Sequence, residues 1–183
     1  MKPAQLLFLV LIILASVAGG FYANHLFSDR SEISNTVVTD DNQAQRPHRP
    51  DFSLPDLDGE LQSIDNWNGQ VIMVNFWATW CPPCRREIPA FIRLYENYRD
   101  QGFVILGIAI DDPQSVQDFI DPMDVNYPIL LGEETGLEIT TAYGNRLGVL
   151  PFTVFIDREG RIVNTRRQEL SYEEAEALIK PLL

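Results

Sequence analysis

Cysteine is nearly absent from this chain: 183 residues hold two, Cys81 and Cys84. Histidine is as scarce, with only His25 and His48. A tetrahedral zinc site needs four ligands, and neither a second C-x-x-C nor an H-x-H exists to complete one. Basic residues are also few, 14 Lys and Arg against 26 Asp and Glu, for a net charge of −12. Residues 1–50 hold four acids (Asp29, Glu32, Asp40, Asp41) and four bases (Lys2, Arg30, Arg46, Arg49), so the net charge lies beyond them. A body this acidic is a poor binder of nucleic acid or anionic lipid by charge. Internal repeats and low-complexity runs are missing as well.

Charge is absent altogether from Pro3 to Asn24, a run of 22 residues after Lys2. That length spans a bilayer as a helix. The rival reading is a cleaved signal peptide, with Leu6 to Leu14 as its apolar region and Ser16-Val17-Ala18 as a small-residue cleavage site. The uncharged run continues past that site, which favours an uncleaved anchor over residues 1–24. Either reading places the remainder outside the cytoplasm, and the lack of cysteine here excludes a lipoprotein anchor. Residues 25–49 are polar, lack a sustained apolar period and end in R-P-H-R-P, the pattern of a flexible linker. Such a tether has an end-to-end distance of about 25–30 Å. Residues 50–183 are left for one domain.

What is present concentrates between Val71 and Glu87, V-I-M-V-N-F-W-A-T-W-C-P-P-C-R-R-E. Val71 to Trp77 is apolar, β-branched and aromatic, the composition of a buried strand. Apolar residues at Ile88, Phe91, Ile92 and Tyr95 then recur at helical spacing. A strand feeding a C-x-x-C at a helix start is the setting of a dithiol–disulfide pair. Cys81 meets the unpaired N–H groups and positive dipole end of the helix, which favour thiolate. Cys84, one turn further in, is placed to attack a mixed disulfide on Cys81 and release the partner reduced. Pro82 and Pro83 preset φ where the first helical turn needs no N–H donor.

The rest alternates strands and helices, an α/β pattern. A hairpin is predicted over Phe52 to Ile64 about Asp58-Gly59. The active-site helix is predicted from about Cys84 to Arg99, kinked by Pro89 in its interior and closed by Gly102. Phe103 to Ile110 reads as a buried parallel strand, and Asp112 with Pro113 as the start of a helix. A short strand over Tyr127 to Leu131 and a short helix over Thr135 to Tyr143 follow. Phe152 to Ile156 and Arg161 to Thr165 flank a turn, and Ser171 with Glu174 forms a capping box for the last helix.

F-W-A-T-W-C-P-P-C resembles the active site of thioredoxin-fold proteins, in particular the membrane-tethered TlpA/ResA-like thiol–disulfide oxidoreductases. P-D-F-S-L-P-D-L-D-G at 50–59 is similar to the N-terminal hairpin that this group shares with the peroxiredoxins. G-V-L-P-F-T-V-F-I-D at 148–157 is similar to the family's cis-proline loop. The resemblance implies a thioredoxin fold with an N-terminal β-hairpin extension and a central α-β insertion. It implies a cis Leu150–Pro151 peptide whose backbone faces the disulfide and pairs with substrate. Trp80 is implied to lie over the active-site surface, with Trp77 packed beneath.

Thioredoxins carry a buried Asp six residues before the first cysteine; here that position is Asn75, which cannot titrate. Asp111 falls near the place where ResA-like proteins set an acidic residue beside their cysteines, so it is the candidate proton acceptor for Cys84, with helix capping as the plainer role. Glu87 is expected on a solvated helix face, and Arg85 and Arg86 are expected to act weakly because exposed charge is screened. The implied activity is reduction of partner-protein disulfides by an exported, monomeric domain. Its electrons would come from a membrane dithiol donor, with the Cys81–Cys84 disulfide as the only redox centre and no metal or other cofactor. Apocytochrome c, or an assembly protein for a copper site, is the implied substrate class.

Three alternatives compete. DsbA-like oxidases carry a helical insertion that is not apparent here. Peroxiredoxins need a Thr three residues before the reactive cysteine, where this chain has Ala78. Copper carriers of this fold use C-x-x-x-C with a distal His, and no His follows His48.

Overall fold

The structure is a computed structural model that describes residues 46–183; the anchor expected over residues 1–24 lies outside the described residues. A two-stranded antiparallel hairpin comes first, β1 (Ser53–Pro55) and β2 (Leu61–Ser63), followed by a short 3-10 turn, Ile64–Trp67. Then come β3 (Val71–Trp77), α1 (Pro82–Tyr98), β4 (Phe103–Ala109), α2 (Pro113–Ile120), β5 (Ile129–Leu131) and α3 (Glu133–Ala142). β6 (Phe152–Ile156), β7 (Ile162–Arg166) and α4 (Tyr172–Ile179) complete the order. The five-stranded sheet runs β5-β4-β3-β6-β7. β3, β4 and β5 are parallel, whereas β6 is antiparallel to β3 and to β7. This is the fold that the resemblance implies.

β3 and β4 are buried at all seven positions. Alternation along β3 sends Val71, Met73 and Trp77 to one face, against Cys84, Ile88, Phe91 and Leu94 of α1 and Ala175 and Ile179 of α4. Ile72, Val74 and Phe76 face the other way, against Phe52, Leu54, Ile64 and Tyr143. Residue 75 shares the odd-numbered face, so its side chain meets α1. Truncating a core ring such as Phe91 would cost about 3–5 kcal/mol. The sheet is therefore a rigid platform for what lies at the C-terminal end of β3.

Local chemistry sets the boundaries. Asp112 caps α2, accepting from Ser115 N at 2.9 Å, and the Ser171–Glu174 capping box opens α4. Gly102, at φ 76°, turns the chain in the left-handed region before β4.

The folded body also begins earlier than the linker boundary expected at Arg49. Ile162 N donates to Pro47 O at 2.9 Å and Arg49 N to Gly160 O at 2.8 Å. The Arg49 side chain is buried, bonding Asp51 at 2.9 Å, Asp65 at 2.6 Å and Asn68 at 2.7 Å. Long-range partners fix this strap, and sequence polarity cannot reveal them.

Candidate active site

The site is built where β3 ends. Ile110 N closes on Trp77 O at 2.8 Å, and the chain turns through Ala78, Thr79 and Trp80 into α1. Asp111, in the loop after β4, holds that turn: one carboxylate oxygen accepts from Thr79 N at 3.0 Å and from the Thr79 hydroxyl. The other oxygen accepts from Asp112 N at 3.0 Å. The structure thus gives Asp111 the Thr79 turn and its own loop as partners, and no cysteine.

Cys81 is the N-cap of α1, and its sulfur accepts from Cys84 N at 3.4 Å. Pro82 and Pro83 occupy the first helical positions, where no donor is lost. The two cysteines are joined as a disulfide. Cys81 keeps 4% of its surface accessible and Cys84 none. Any external thiol or disulfide therefore meets Cys81 first, although Cys81 is far less open than a free helix terminus suggests.

Glu87 is the residue whose place the sequence does not reveal. Its charge assigns it to a solvated face, yet it is 1% exposed. Its Oε1 accepts from Asn75 Nδ2 at 2.8 Å and its Oε2 from Leu170 N at 3.1 Å. Burial pushes the carboxyl up to about 8, helped by repulsion from Glu169 and opposed by the two donors. A signal does exist in the spacing. Glu87 lies three residues after Cys84 and four before Phe91, inside the stripe that α1 turns to the core.

Asn75 ties this carboxylate to the rest of the site. Its Nδ2 also donates to Thr153 Oγ1 at 3.0 Å, on β6 two residues past Pro151. Among the described residues its Oδ1 is buried without a partner. The Leu150–Pro151 peptide is cis. Pro151 is buried, Leu150 half-buried and Val149 exposed. Trp80 is 65% exposed beside Cys81, whereas Trp77 is buried beneath.

Comparison with known proteins agrees with this geometry. The AhpC/TSA family model matches residues 47–165. The thiol–disulfide oxidoreductase ResA of Halalkalibacterium halodurans is 36% identical over 179 residues, covering 94% of this chain and 93% of that protein. ResA of Geobacillus thermodenitrificans is 32% identical over 155 residues, covering 84% and 80%. A thioredoxin-family thiol:disulfide interchange protein from Chlorobium tepidum matches with a TM-score of 0.69 and 26% identity, over 75% of this chain and 97% of that structure. With a buried C-x-x-C disulfide at the start of α1, the chain belongs to the AhpC/TSA family and, within it, to the ResA-type thiol–disulfide oxidoreductases.

Proposed function

We propose that this oxidoreductase works as a reductant of partner-protein disulfides, through attack by Cys81 and resolution by Cys84. The observation that carries the reading is the asymmetry of the pair: Cys81, the N-cap of α1, keeps the only accessible edge, 4% of its surface, and Cys84 is sealed one turn before Glu87. In the reduced protein the Cys84 N–H and the helix dipole favour a Cys81 thiolate. That thiolate attacks one sulfur of the substrate disulfide, forming Cys81–S–S–substrate and expelling the other substrate sulfur as thiolate. Cys84 then gives its proton to Glu87 and attacks Cys81 Sγ, displacing the second substrate thiolate. Two electrons pass to the substrate, and the Cys81–Cys84 disulfide is left behind.

A carboxyl pushed up to about 8 suits that acceptor, because it exchanges a proton near neutral pH. Glu87 thus takes the role expected of Asp111, which instead positions the Thr79 turn. On this reading Trp80, Pro82, Pro83 and Leu150 face the substrate, and the backbone of the buried Pro151 pairs with it, as the family resemblance implies. The uncharged segment before the strap supports an anchored domain working outside the cytoplasm, drawing electrons from a membrane dithiol donor. Apocytochrome c remains the substrate class that the family resemblance suggests.

The test is reduction of insulin disulfides by wild type and by Cys84→Ser. Wild type should turn over with a dithiol donor, and Cys84→Ser should stop as a mixed disulfide on Cys81. Preferential alkylation of Cys84 in the reduced protein at neutral pH would overturn the assignment.

A further inference from the structure

Beside Cys81 the surface opens into a groove of about 390 Å³ lined by Pro82, Arg85, Arg86, Phe119 and Met123. It lies between the first turn of α1 and the end of α2. Two lining residues are cations and, among the described residues, no carboxylate lines it, in a protein whose net charge is −12. Their charges are not equivalent. Arg86 is committed to Glu169, with Nε at 2.9 Å and Nη2 at 2.6 Å. Among the described residues Arg85 has no carboxylate partner; its guanidinium lies over the Phe119 ring, 5.2 Å from the centroid. A stacked guanidinium keeps its in-plane N–H donors for a ligand, and the stacking limits the rotamer freedom it would lose on binding one.

We infer that this groove reads an acidic side chain of the substrate polypeptide, held near the substrate's reactive cysteine while that cysteine is joined to Cys81. The floor of Phe119, Met123 and Pro82 takes the methylenes of a Glu or Asp, and Arg85 takes the carboxylate. The charge contrast supports the choice of ligand. The acidic body repels an acidic partner at long range, and the groove is the place beside the nucleophile where a carboxylate meets cations instead. The inference rests on the reductant reading above and adds to it a preference among substrates.

The experiment uses the reduced protein and a set of disulfide-bonded peptides that differ only in a Glu, Gln or Lys close to one cysteine. At low ionic strength the Glu peptide should be reduced about threefold faster than the Gln peptide and about tenfold faster than the Lys peptide, as fits a partly exposed charge pair. Added salt should shrink the order. Arg85→Gln should abolish it while leaving reduction of the neutral hydroxyethyl disulfide unchanged, which separates docking from any effect on Cys81 itself. An unchanged Glu preference in Arg85→Gln, or none in wild type, overturns the groove assignment. Failure of wild type to reduce hydroxyethyl disulfide would instead strike the reductant reading on which it rests.

Discussion

The amide of Asn75 donates to the carboxylate of Glu87 at 2.8 Å, from the middle of β3 to the inner face of α1, with both side chains about 1% exposed. This pair stands where thioredoxins keep a titratable strand residue. The strand supplies an amide and the helix supplies the acid. Cys84 lies one turn before Glu87 on α1, so the second half of the proposed redox cycle depends on that acid.

Glu87→Gln keeps the shape and the bond to Asn75 but removes proton acceptance. Formation of the Cys81 mixed disulfide should be nearly unchanged. Its resolution should slow by about 10²-fold near neutral pH, with the deficit shrinking at high pH where Cys84 ionises unaided. Quenched-flow trapping of the mixed disulfide across pH 6 to 10 measures this. Resolution at the wild-type rate throughout would remove Glu87 from the mechanism.

The same residue makes stability depend on pH. Its carboxyl is raised from the ordinary 4.5 to about 8 in the folded protein, so folding favours the protonated form. This contribution is complete below about pH 4.5 and is lost as pH rises through about 8. Each tenfold gain in proton affinity is worth about 1.4 kcal/mol, so the loss across the window from 4.5 to about 8 is on the order of 5 kcal/mol. Denaturant titrations of the oxidised protein from pH 4 to 9 should show a flatter profile for Glu87→Gln than for wild type. Parallel profiles would mean that Glu87 titrates as an ordinary carboxyl.

Asp111 should behave differently. Asp111→Ala removes three bonds that fix the Thr79 turn and the loop after β4. A stability loss of about 1–3 kcal/mol is expected, together with slower attack by Cys81. The pH dependence of resolution should keep its wild-type shape, because no proton acceptor has been lost. A resolution step that slows only near neutral pH in Asp111→Asn would return the base role to Asp111.

Arg49 anchors the strap to the 3-10 turn that follows the hairpin. Its side chain is 2% exposed, while Asp51 and Asp65 are 78% and 59% exposed. Arg49→Ala therefore strands no buried charge, and the expected cost is about 1–3 kcal/mol from lost packing and charged bonds. Melting should fall while hydroxyethyl disulfide reduction at 25 °C stays the same. Faster proteolysis between residues 45 and 50 would accompany it.

Much of this protein is local and therefore legible from its sequence. Val71–Trp77 is a strand because seven apolar, β-branched and aromatic residues precede a helix start, and the strand has those bounds. Asp112, Ser171 and Glu174 set helix ends by bonds reaching three residues, so their caps can be read directly. The C-x-x-C pair places two thiols one turn apart whatever surrounds them. The helical stripe Cys84, Glu87, Phe91 also marks Glu87 as inward-facing, but a charged residue is by default assigned to water. What overrides that default is long-range. Asn75 arrives from β3, Leu170 N from the approach to α4, and Thr153 from the strand after Pro151. Local spacing specifies which residues can meet along one helix or turn. Which carboxylate lies dry within the core, and which is spent on a turn, depends on elements 12 to 83 residues apart, brought together only by the packed sheet.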